Sequence, residues 1–227
     1  GCAVEPPPRA TAASGAAAAP TLADEVLAWI KINQDTASPE QRLVADIIRG
    51  DSAQTFNNAL AAMAFLLMGE RERAERILDW YAAATDEANT DPLRQNFFLN
   101  GEARGFFQNA AIRDLADARA GQAIWNGDRW MGDMAWLLMV YRQYAKMHGA
   151  ARYERITGLL CDLMDAWYLP QETGGYVGSG WRKFDATLHE ADGHPEGNLD
   201  AYAVFRLCGN EARAADVAAW VLPRVQA

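Results

Sequence analysis

A helix–turn–helix junction occurs three times in this chain of 227 residues. Each junction places a glycine, Gly69, Gly149 or Gly209, between a strongly apolar segment and a more amphipathic one. Glycine is preferred just after a helix end, because it adopts the left-handed backbone conformation without strain. The three junctions therefore predict three antiparallel helical hairpins and an all-α fold.

The two helices of each predicted hairpin differ in polarity. The segment 59–68 is apolar nearly all round, which predicts an inner helix that is buried on most sides. Its successor, 70–84, has one apolar and one charged face, which predicts an outer helix. The same contrast recurs in 134–144 against 152–167 and in 199–207 against 211–221. Such alternating helices stack into a superhelix or close into an α/α toroid.

The spacing of the junctions separates this pattern from a tetratricopeptide array. That array has a period of about 34 residues, whereas the three glycines lie 80 and 60 positions apart. The segments 86–128 and 170–195 are therefore long insertions between helices. Long loops in compact domains are more often functional than short connections are.

The chain before the first hairpin divides into a tether and the start of the folded domain. Residues 1–20 are mostly Ala and Pro, a composition that buries too little side chain to order itself. We therefore expect a disordered tether over 1–20 and one hairpin domain over 21–227. Within that domain the pattern predicts a helix over 22–34 and a short helix within 37–55.

The three cysteines bear on the cellular location of the protein and on its internal cross-links. Gly1-Cys2-Ala3 resembles the site at which a bacterial lipoprotein signal is cut before a lipidated cysteine. The alternative is that Cys2 is an ordinary exposed residue. Lipidation of Cys2 places the protein in the periplasm or at the outer membrane, with membrane contact only through the anchor. Cys161 and Cys208 lie in apolar helical patterns and are expected to be structural, and the sequence leaves open a disulfide between them.

Composition excludes several classes of function. A formal net charge of −9 disfavours a nucleic-acid surface, which needs clustered Lys and Arg. No apolar run approaches the roughly 20 residues of a membrane-spanning helix.

The segment 189–194 holds two His and two carboxylates, but its spacing is more typical of a solvated turn than of a metal site. No phosphate-binding loop or nucleophile triad stands out, Ser179 included, so we expect no cofactor and no metal.

Three inner-helix starts carry a family resemblance. They read Thr-Phe-Asn-Asn-Ala at 55–59, Gly-Asp-Met-Ala-Trp at 132–136 and Glu-Gly-Asn-Leu-Asp-Ala-Tyr at 196–202, with Gly-Gly-Tyr at 174–176 before the last. In this order they resemble the bacterial six-hairpin glycosidase-like proteins, which form an (α/α)6 toroid. The resemblance runs from about residue 55 to the C-terminus and implies a sugar-binding cavity at the N-terminal ends of the inner helices.

This chain departs from the family pattern at three positions. Asn57 stands where an Asp is often found, Met134 where an Asn is usual, and Gly197 where a His is usual. A complete toroid has about twelve helices, and the pattern here predicts eight or nine. The sequence therefore leaves open whether the ring is complete and whether the site chemistry is altered.

The candidate catalytic residues are carboxylates at the inner-helix starts. Glycoside hydrolysis usually needs one protonated and one ionised carboxyl group, and Asp133, Glu196 and Asp200 are the candidates. For Asp133 the alternative is a structural role, as a helix cap or as a first-turn acid that the exposed N–H groups of the helix start favour. Glu196 and Asp200 lie four apart, so they share a helix face and repel each other unless a partner intervenes.

The candidate substrate-binding residues are aromatic and amide side chains near the same helix starts. Sugar C–H faces stack on aromatic rings, while amides and carboxylates bind hydroxyl groups. Eight tryptophans occur in the chain; those in helical patterns, Trp29 among them, are expected to be mostly core. The predicted substrate-binding set is Asn57, Asn58, Trp130, Trp136, Tyr176, Trp181 and Asn198.

Two functions are consistent with these features. The first is a carbohydrate-active, glycoside hydrolase-like protein that acts on or binds an oligo- or polysaccharide. The second is a non-catalytic, lipid-tethered helical scaffold that binds glycan or protein. The sequence alone leaves open whether the protein is an enzyme.

Overall fold

The structure, a computed structural model, describes residues 19–36, 42–46, 52–88, 97–99, 101–111, 128–181 and 193–226. Seven α-helices lie in these ranges. They are α1 (Leu22–Thr36), α2 (Thr55–Leu67), α3 (Arg71–Ala83), α4 (Met131–His148), α5 (Glu154–Ala166), α6 (Pro195–Leu207) and α7 (Glu211–Val225). A 3-10 turn, Ala151–Tyr153, precedes α5. The described part of the chain is predominantly helical, which confirms the predicted fold class.

The three predicted hairpin junctions are present as tight helix-terminating turns. Gly69, Gly149 and Gly209 all have positive φ, between 76° and 95°. After Gly69, the amide of Glu70 donates to the carbonyl of Phe65 at 2.8 Å, and Asn210 donates to Phe205 at 2.9 Å in the same way. These bonds satisfy carbonyls that the helix end leaves free. The hairpins are therefore α2–α3, α4–α5 and α6–α7.

The predicted difference between inner and outer helices is also present. The inner helices pack side by side, α2 against α4 and α4 against α6, while each outer helix packs against the inner helix of its own hairpin. The core between the layers is rich in aromatic side chains, including the fully buried Phe65, Tyr81, Tyr141 and Trp167. The result is an arc of two helical layers.

A repeated ion pair links successive outer helices. An arginine within two residues of the start of each one binds an aspartate in the second half of the previous one: Arg73 with Asp35, Arg152 with Asp79, and Arg213 with Asp165. Exposed pairs of this kind add little stability, but they fix the register of neighbouring helices. Asp35 of α1 takes the same part in this pattern as Asp79 of α3 and Asp165 of α5, which are outer helices. Helix α1 therefore corresponds to an outer helix that precedes α3.

Short antiparallel strand pairs lie among the segments that connect the hairpins. The strands are β1 (Ser52–Gln54), β2 (Phe98–Leu99), β3 (Glu102–Ala103), β4 (Asn109–Ala111), β5 (Arg129–Trp130), β6 (Tyr168–Pro170), β7 (Gly175–Val177) and β8 (Gly180–Trp181). They pair as β1–β4, β2–β3, β5–β8 and β6–β7. Strands β1 and β5 lead directly into α2 and α4, so these pairs position the starts of two inner helices.

The structure departs from one predicted element and decides one point that the sequence left open. The short helix expected within 37–55 is not present in its described residues, since 42–46 form no regular element and 52–54 form β1. Cys161 and Cys208 form a disulfide, which decides between the two states that the sequence left open. This bond joins α5 to the residue that ends α6, and so ties the second hairpin to the third.

Candidate functional site at the inner-helix starts

The fourth residue of each inner helix holds the extended segment that lies against the helix start. In α2 this residue is Asn58, whose side-chain oxygen accepts from the Val44 amide at 2.7 Å and whose nitrogen donates to the Val44 carbonyl at 3.1 Å. In α6, Asn198 does the same for Val177, at 2.7 and 3.2 Å. Each asparagine side chain thus binds both the N–H and the C=O group of one valine, as the backbone of a neighbouring β-strand would.

Both asparagines also donate to the carbonyl of the residue four positions earlier, Gln54 or His194. Asn58 and Asn198 are fully buried, and their amide groups are occupied by the backbone. Their role in the structure is therefore to position the helix starts. The prediction that these two side chains contact substrate is corrected on this ground, because a side chain with 0% exposure is out of reach of a sugar hydroxyl.

The middle inner helix carries a modified version of this arrangement. Its fourth residue is Met134, whose sulfur lies 3.3 Å from the Phe106 amide nitrogen and accepts from it. The thioether has no donor, so it takes over only the accepting half of the asparagine's role. The backbone comes close at this point, since a Cβ at Gly105 would lie 2.8 Å from the Met134 sulfur.

Replacing Asn58 or Asn198 by Ala should lower the free energy of unfolding by about 2–4 kcal/mol. The substitution removes three hydrogen bonds and leaves a buried N–H and C=O of valine without partners, at roughly 1–3 kcal/mol for each buried group. Urea unfolding measures this. The matched control is Asn57→Ala, next to Asn58 but exposed, which should cost less than about 1 kcal/mol. Equal costs for Asn57→Ala and Asn58→Ala would contradict the assignment.

Asp133 is a buried carboxyl group in the first turn of α4. The residue is 6% exposed, and its Oδ2 atom is buried with no hydrogen-bond partner among the described residues. A position near a helix N-terminus favours the ionised form, but burial outweighs it and raises the pKa of Asp133 to about 7. Since Oδ2 accepts no bond from the first-turn amides among the described residues, Asp133 does not cap the helix through this atom. The alternative of a first-turn acid close to the helix dipole stays open.

Asp200 and Trp136 meet between α4 and α6. The Trp136 indole Nε1 donates to Asp200 Oδ2 at 3.2 Å, and the edge of the Phe56 ring contacts the Trp136 ring at 5.7 Å between centroids. Burial raises the pKa of Asp200, the bond from Trp136 lowers it, and the charge of Glu196 raises it. Glu196 itself is exposed. The structure thus brings together two of the predicted site residues, Trp136 and Asp200, and adds Phe56.

Three of the aromatic residues predicted to bind substrate, Trp130, Tyr176 and Trp181, lie in short strands that connect the hairpins. Tyr176 packs against Trp220 of α7, with ring centroids 4.9 Å apart. Trp130 is partly buried at the end of β5, directly before α4. Trp181 lies in β8, where its backbone is paired with Arg129 of β5. Trp130 and Trp181 thus flank the start of α4, where they remain predicted substrate contacts.

The departures from the family pattern have visible structural consequences. Asn57 is exposed and donates to Asp46 Oδ1 at 3.1 Å, so it belongs to the surface around the start of α2. At Gly197 a Cβ would lie 2.7 Å from the end of the Met131 side chain. Met131 therefore occupies space into which a larger residue at position 197 would extend.

Two residues near the site were not identified as site residues from sequence. Asp46 accepts bonds from Ser52, Gln54 and Asn57, but it lies in a segment without a recognisable motif. Trp29 was expected in the core and is 44% exposed. The sequence signal for the exposure of Trp29 is the nearby polar residue Lys31. One polar neighbour does not show whether Trp29 lies on the exposed or the buried face of α1.

Several other predicted residues lie outside the described part of the chain. These are Cys2 and most of the segment 189–194, of which the structure describes Gly193 and His194. In the ranges that are described, no group of three or more metal-ligating side chains occurs. Likewise, none of the described helices is both long and apolar enough to cross a lipid bilayer.

The arrangement of alternating inner and outer helices, with polar groups at the inner-helix starts, defines an α/α toroid-type fold. The sequence matches no protein-family model and no curated protein. Among solved structures, a similar fold occurs in the endoglucanase Cel10, a family 8 glycosyl hydrolase from Klebsiella pneumoniae, with a TM-score of 0.56 at 12% identity. The likeness covers 84% of this chain and 56% of that chain.

This similarity shows the fold alone, because 12% identity carries no residue-by-residue correspondence. It confirms the predicted α/α toroid class and is consistent with a six-hairpin glycosidase-like architecture. The chain spans a little over half the length of that enzyme.

Proposed function

We propose that this protein is a carbohydrate-active protein of the glycoside hydrolase type, with its site at the N-terminal ends of α4 and α6. One observation carries the proposal. A buried carboxyl group, that of Asp133, whose Oδ2 atom has no hydrogen-bond partner among the described residues, lies one helical turn before an indole, Trp136, that binds a second carboxyl group, Asp200. A protonated acid, an ionised acid and an aromatic ring are the groups that glycoside hydrolysis needs.

The proposed roles follow from the two environments. Asp133, with a pKa of about 7, is largely protonated below neutral pH and gives its proton to the leaving glycosidic oxygen. A carboxylate on α6 takes a proton from the water that attacks the anomeric carbon. Asp200 is assigned this role because it is bonded to Trp136, and Glu196 is the alternative one turn earlier. The structural neighbour is an endoglucanase by name, so soluble glucans are the first substrates to test.

A second candidate, a glycan-binding module without catalysis, is favoured by the small exposed area of Asp133. A general acid has to reach the leaving oxygen of its substrate, and only 6% of this residue is exposed. In this alternative, Trp136 and Asp200 bind a sugar and Asp133 is a buried structural acid.

A panel of soluble polysaccharides, assayed for both binding and reducing-end release, separates the two candidates. We expect Trp136→Ala to weaken binding about 10-fold or more, because the ring contact and the bond to Asp200 are lost together. The control is Leu222→Ala, an exposed apolar residue of α7, which should leave binding unchanged. Binding without product would support the binding module, and the absence of both would contradict any carbohydrate function.

The disulfide supports a proposed location in the periplasm or at the outer membrane. Disulfides persist in oxidising compartments and are rare in the reducing cytosol. The Cys161–Cys208 bond is consistent with the proposal that Cys2 is a lipid-attachment site on a tethered domain. Lipidation is tested by metabolic labelling with a fatty acid, which Cys2→Ala should abolish.

A further inference from the structure

A pocket of about 390 Å³ lies between α1 and α2. Its lining includes Trp29 and Ile30 from α1, Asp46 from the preceding segment, and Asn57 and Leu60 from α2. The volume falls in the range of about 300–1,000 Å³ that is typical of small-ligand pockets. No residue of this pocket other than Asn57 belongs to the predicted site.

The pocket combines an apolar surface with an exposed indole. Trp29 is 44% exposed and Leu60 is 37% exposed, whereas α1 otherwise packs against α2 through Leu27 and Ile30. Aromatic rings of this kind bind the C–H face of a sugar. An exposed tryptophan beside a polar rim is therefore the first feature of a sugar subsite.

The polar rim is held in place by the protein itself. Asp46 Oδ1 accepts from the Gln54 amide at 3.0 Å and from Asn57 Nδ2 at 3.1 Å, while Oδ2 accepts from the Ser52 hydroxyl at 2.7 Å. A carboxylate has about four acceptor positions, so one remains. The Asn57 amide is fixed by a second bond to Gln54, at 3.3 Å, which leaves its oxygen as an acceptor. Both remaining acceptors suit hydroxyl donors.

The first turn of α2 connects this pocket with the proposed catalytic site. Asn57 lines the pocket, while its neighbour Phe56 contacts Trp136, which binds Asp200. Asp46 and Asp133 are both close enough to Tyr81 for their charges to act on its hydroxyl group. The first turn of α2 thus lies between the pocket and the Trp136–Asp200 pair.

We propose that Trp29, Asp46 and Asn57 form an additional sugar subsite, so that the substrate is a chain of several sugar units lying across the start of α2. This inference rests on the proposed function and adds the substrate class to it. A substrate of one or two units would occupy only the Trp136–Asp200 side. A longer chain would contact both sides, and its affinity would depend on Trp29.

The test compares the binding of oligosaccharides of two, four and six units, derived from whichever panel polysaccharide the wild-type protein binds. Calorimetry should show that Trp29→Ala weakens binding of the six-unit ligand about 10-fold or more and leaves the two-unit ligand within about 2-fold. Trp29→Phe, which keeps an aromatic ring, should retain most of the affinity. The control is Ile32→Ala, since Ile32 is 49% exposed on the same helix and does not line the pocket.

The outcomes distinguish this inference from the proposed function. If the wild-type protein binds oligosaccharides but Trp29→Ala binds every length normally, the subsite is wrong and the proposed function stands. If the wild-type protein binds no glycan, both are wrong. Light scattering measures the mass of the protein in solution. If Trp29→Ala changes this mass without changing glycan binding, the pocket is a contact between protein molecules and the subsite is overturned.

Discussion

Replacing Asp133 by Asn should make the protein more stable at pH 8 than the wild type, with little difference at pH 4. The folded protein raises the pKa of Asp133 to about 7 from an ordinary value of 3.8. Between these values the folded state binds more protons than the unfolded state, so wild-type stability falls as the pH rises from about 4 to about 7. The shift corresponds to roughly 4 kcal/mol of wild-type stability, and the variant with an amide at position 133 does not lose this stability as the pH rises.

The measurement is urea unfolding of both proteins at pH 4, 6 and 8. The stability difference between Asp133→Asn and wild type should grow across this range by a few kcal/mol. Glu172→Gln is the control, since this exposed carboxylate lies in the turn between β6 and β7, and it should reproduce the wild-type pH dependence. A wild-type curve with the same slope as that of Asp133→Asn would show that Asp133 is not buried as the structure has it.

Removing the disulfide should lower the free energy of unfolding by about 4 kcal/mol. The bond joins residues 47 positions apart, and closing a loop of that length restricts the unfolded chain by this amount in the chain-entropy model. For a domain of this size, a loss of about 4 kcal/mol lowers the Tm by roughly 8–16 °C. Thermal unfolding with and without dithiothreitol measures the effect.

The double variant Cys161→Ser, Cys208→Ser separates the bond from other effects of the reductant. It should melt at the lowered temperature and show no further response to dithiothreitol. Cys2→Ala is the matched control and should behave as the wild type, because Cys2 takes no part in this bond. A wild-type Tm that is insensitive to reductant would contradict a stabilising disulfide.

The helical architecture could be predicted from the sequence because it depends on local features. Glycines at helix ends and the contrast between apolar and amphipathic segments are short-range signals. They identified the turns at Gly69, Gly149 and Gly209 and the alternation of inner and outer helices. The strands between the hairpins, such as β5 with β8, were not predicted, because two- and three-residue strands leave no periodic pattern.

The candidate site could be predicted only in part. The helix starts at Asp133 and Asp200 were identified because carboxylates there are unusual in otherwise apolar segments. Asn58 and Asn198 were assigned to substrate because sequence reports residue type and not burial. Their actual partners, Val44 and Val177, lie 14 and 21 positions earlier in the chain, and no local pattern relates such distant residues.

The features that depend on packing between distant segments could not be predicted. The raised pKa of Asp133 results from burial by several elements, and the helix position alone predicts the opposite shift. The exposure of Trp29 likewise depends on how α1 lies against α2. Both properties come from the tertiary arrangement and have no signature in the neighbouring residues.

The central claim is that Asp133 supplies the proton in a glycan-cleaving site. Reducing-end release from the polysaccharide panel, measured from about pH 5 to about pH 9 for wild type and Asp133→Asn side by side, tests it most directly. We expect wild-type release to fall as the pH rises through about 7, and the variant to bind glycan but release at least about 100-fold less product. Equal release by the two proteins, or glycan binding without any wild-type product, would contradict the claim.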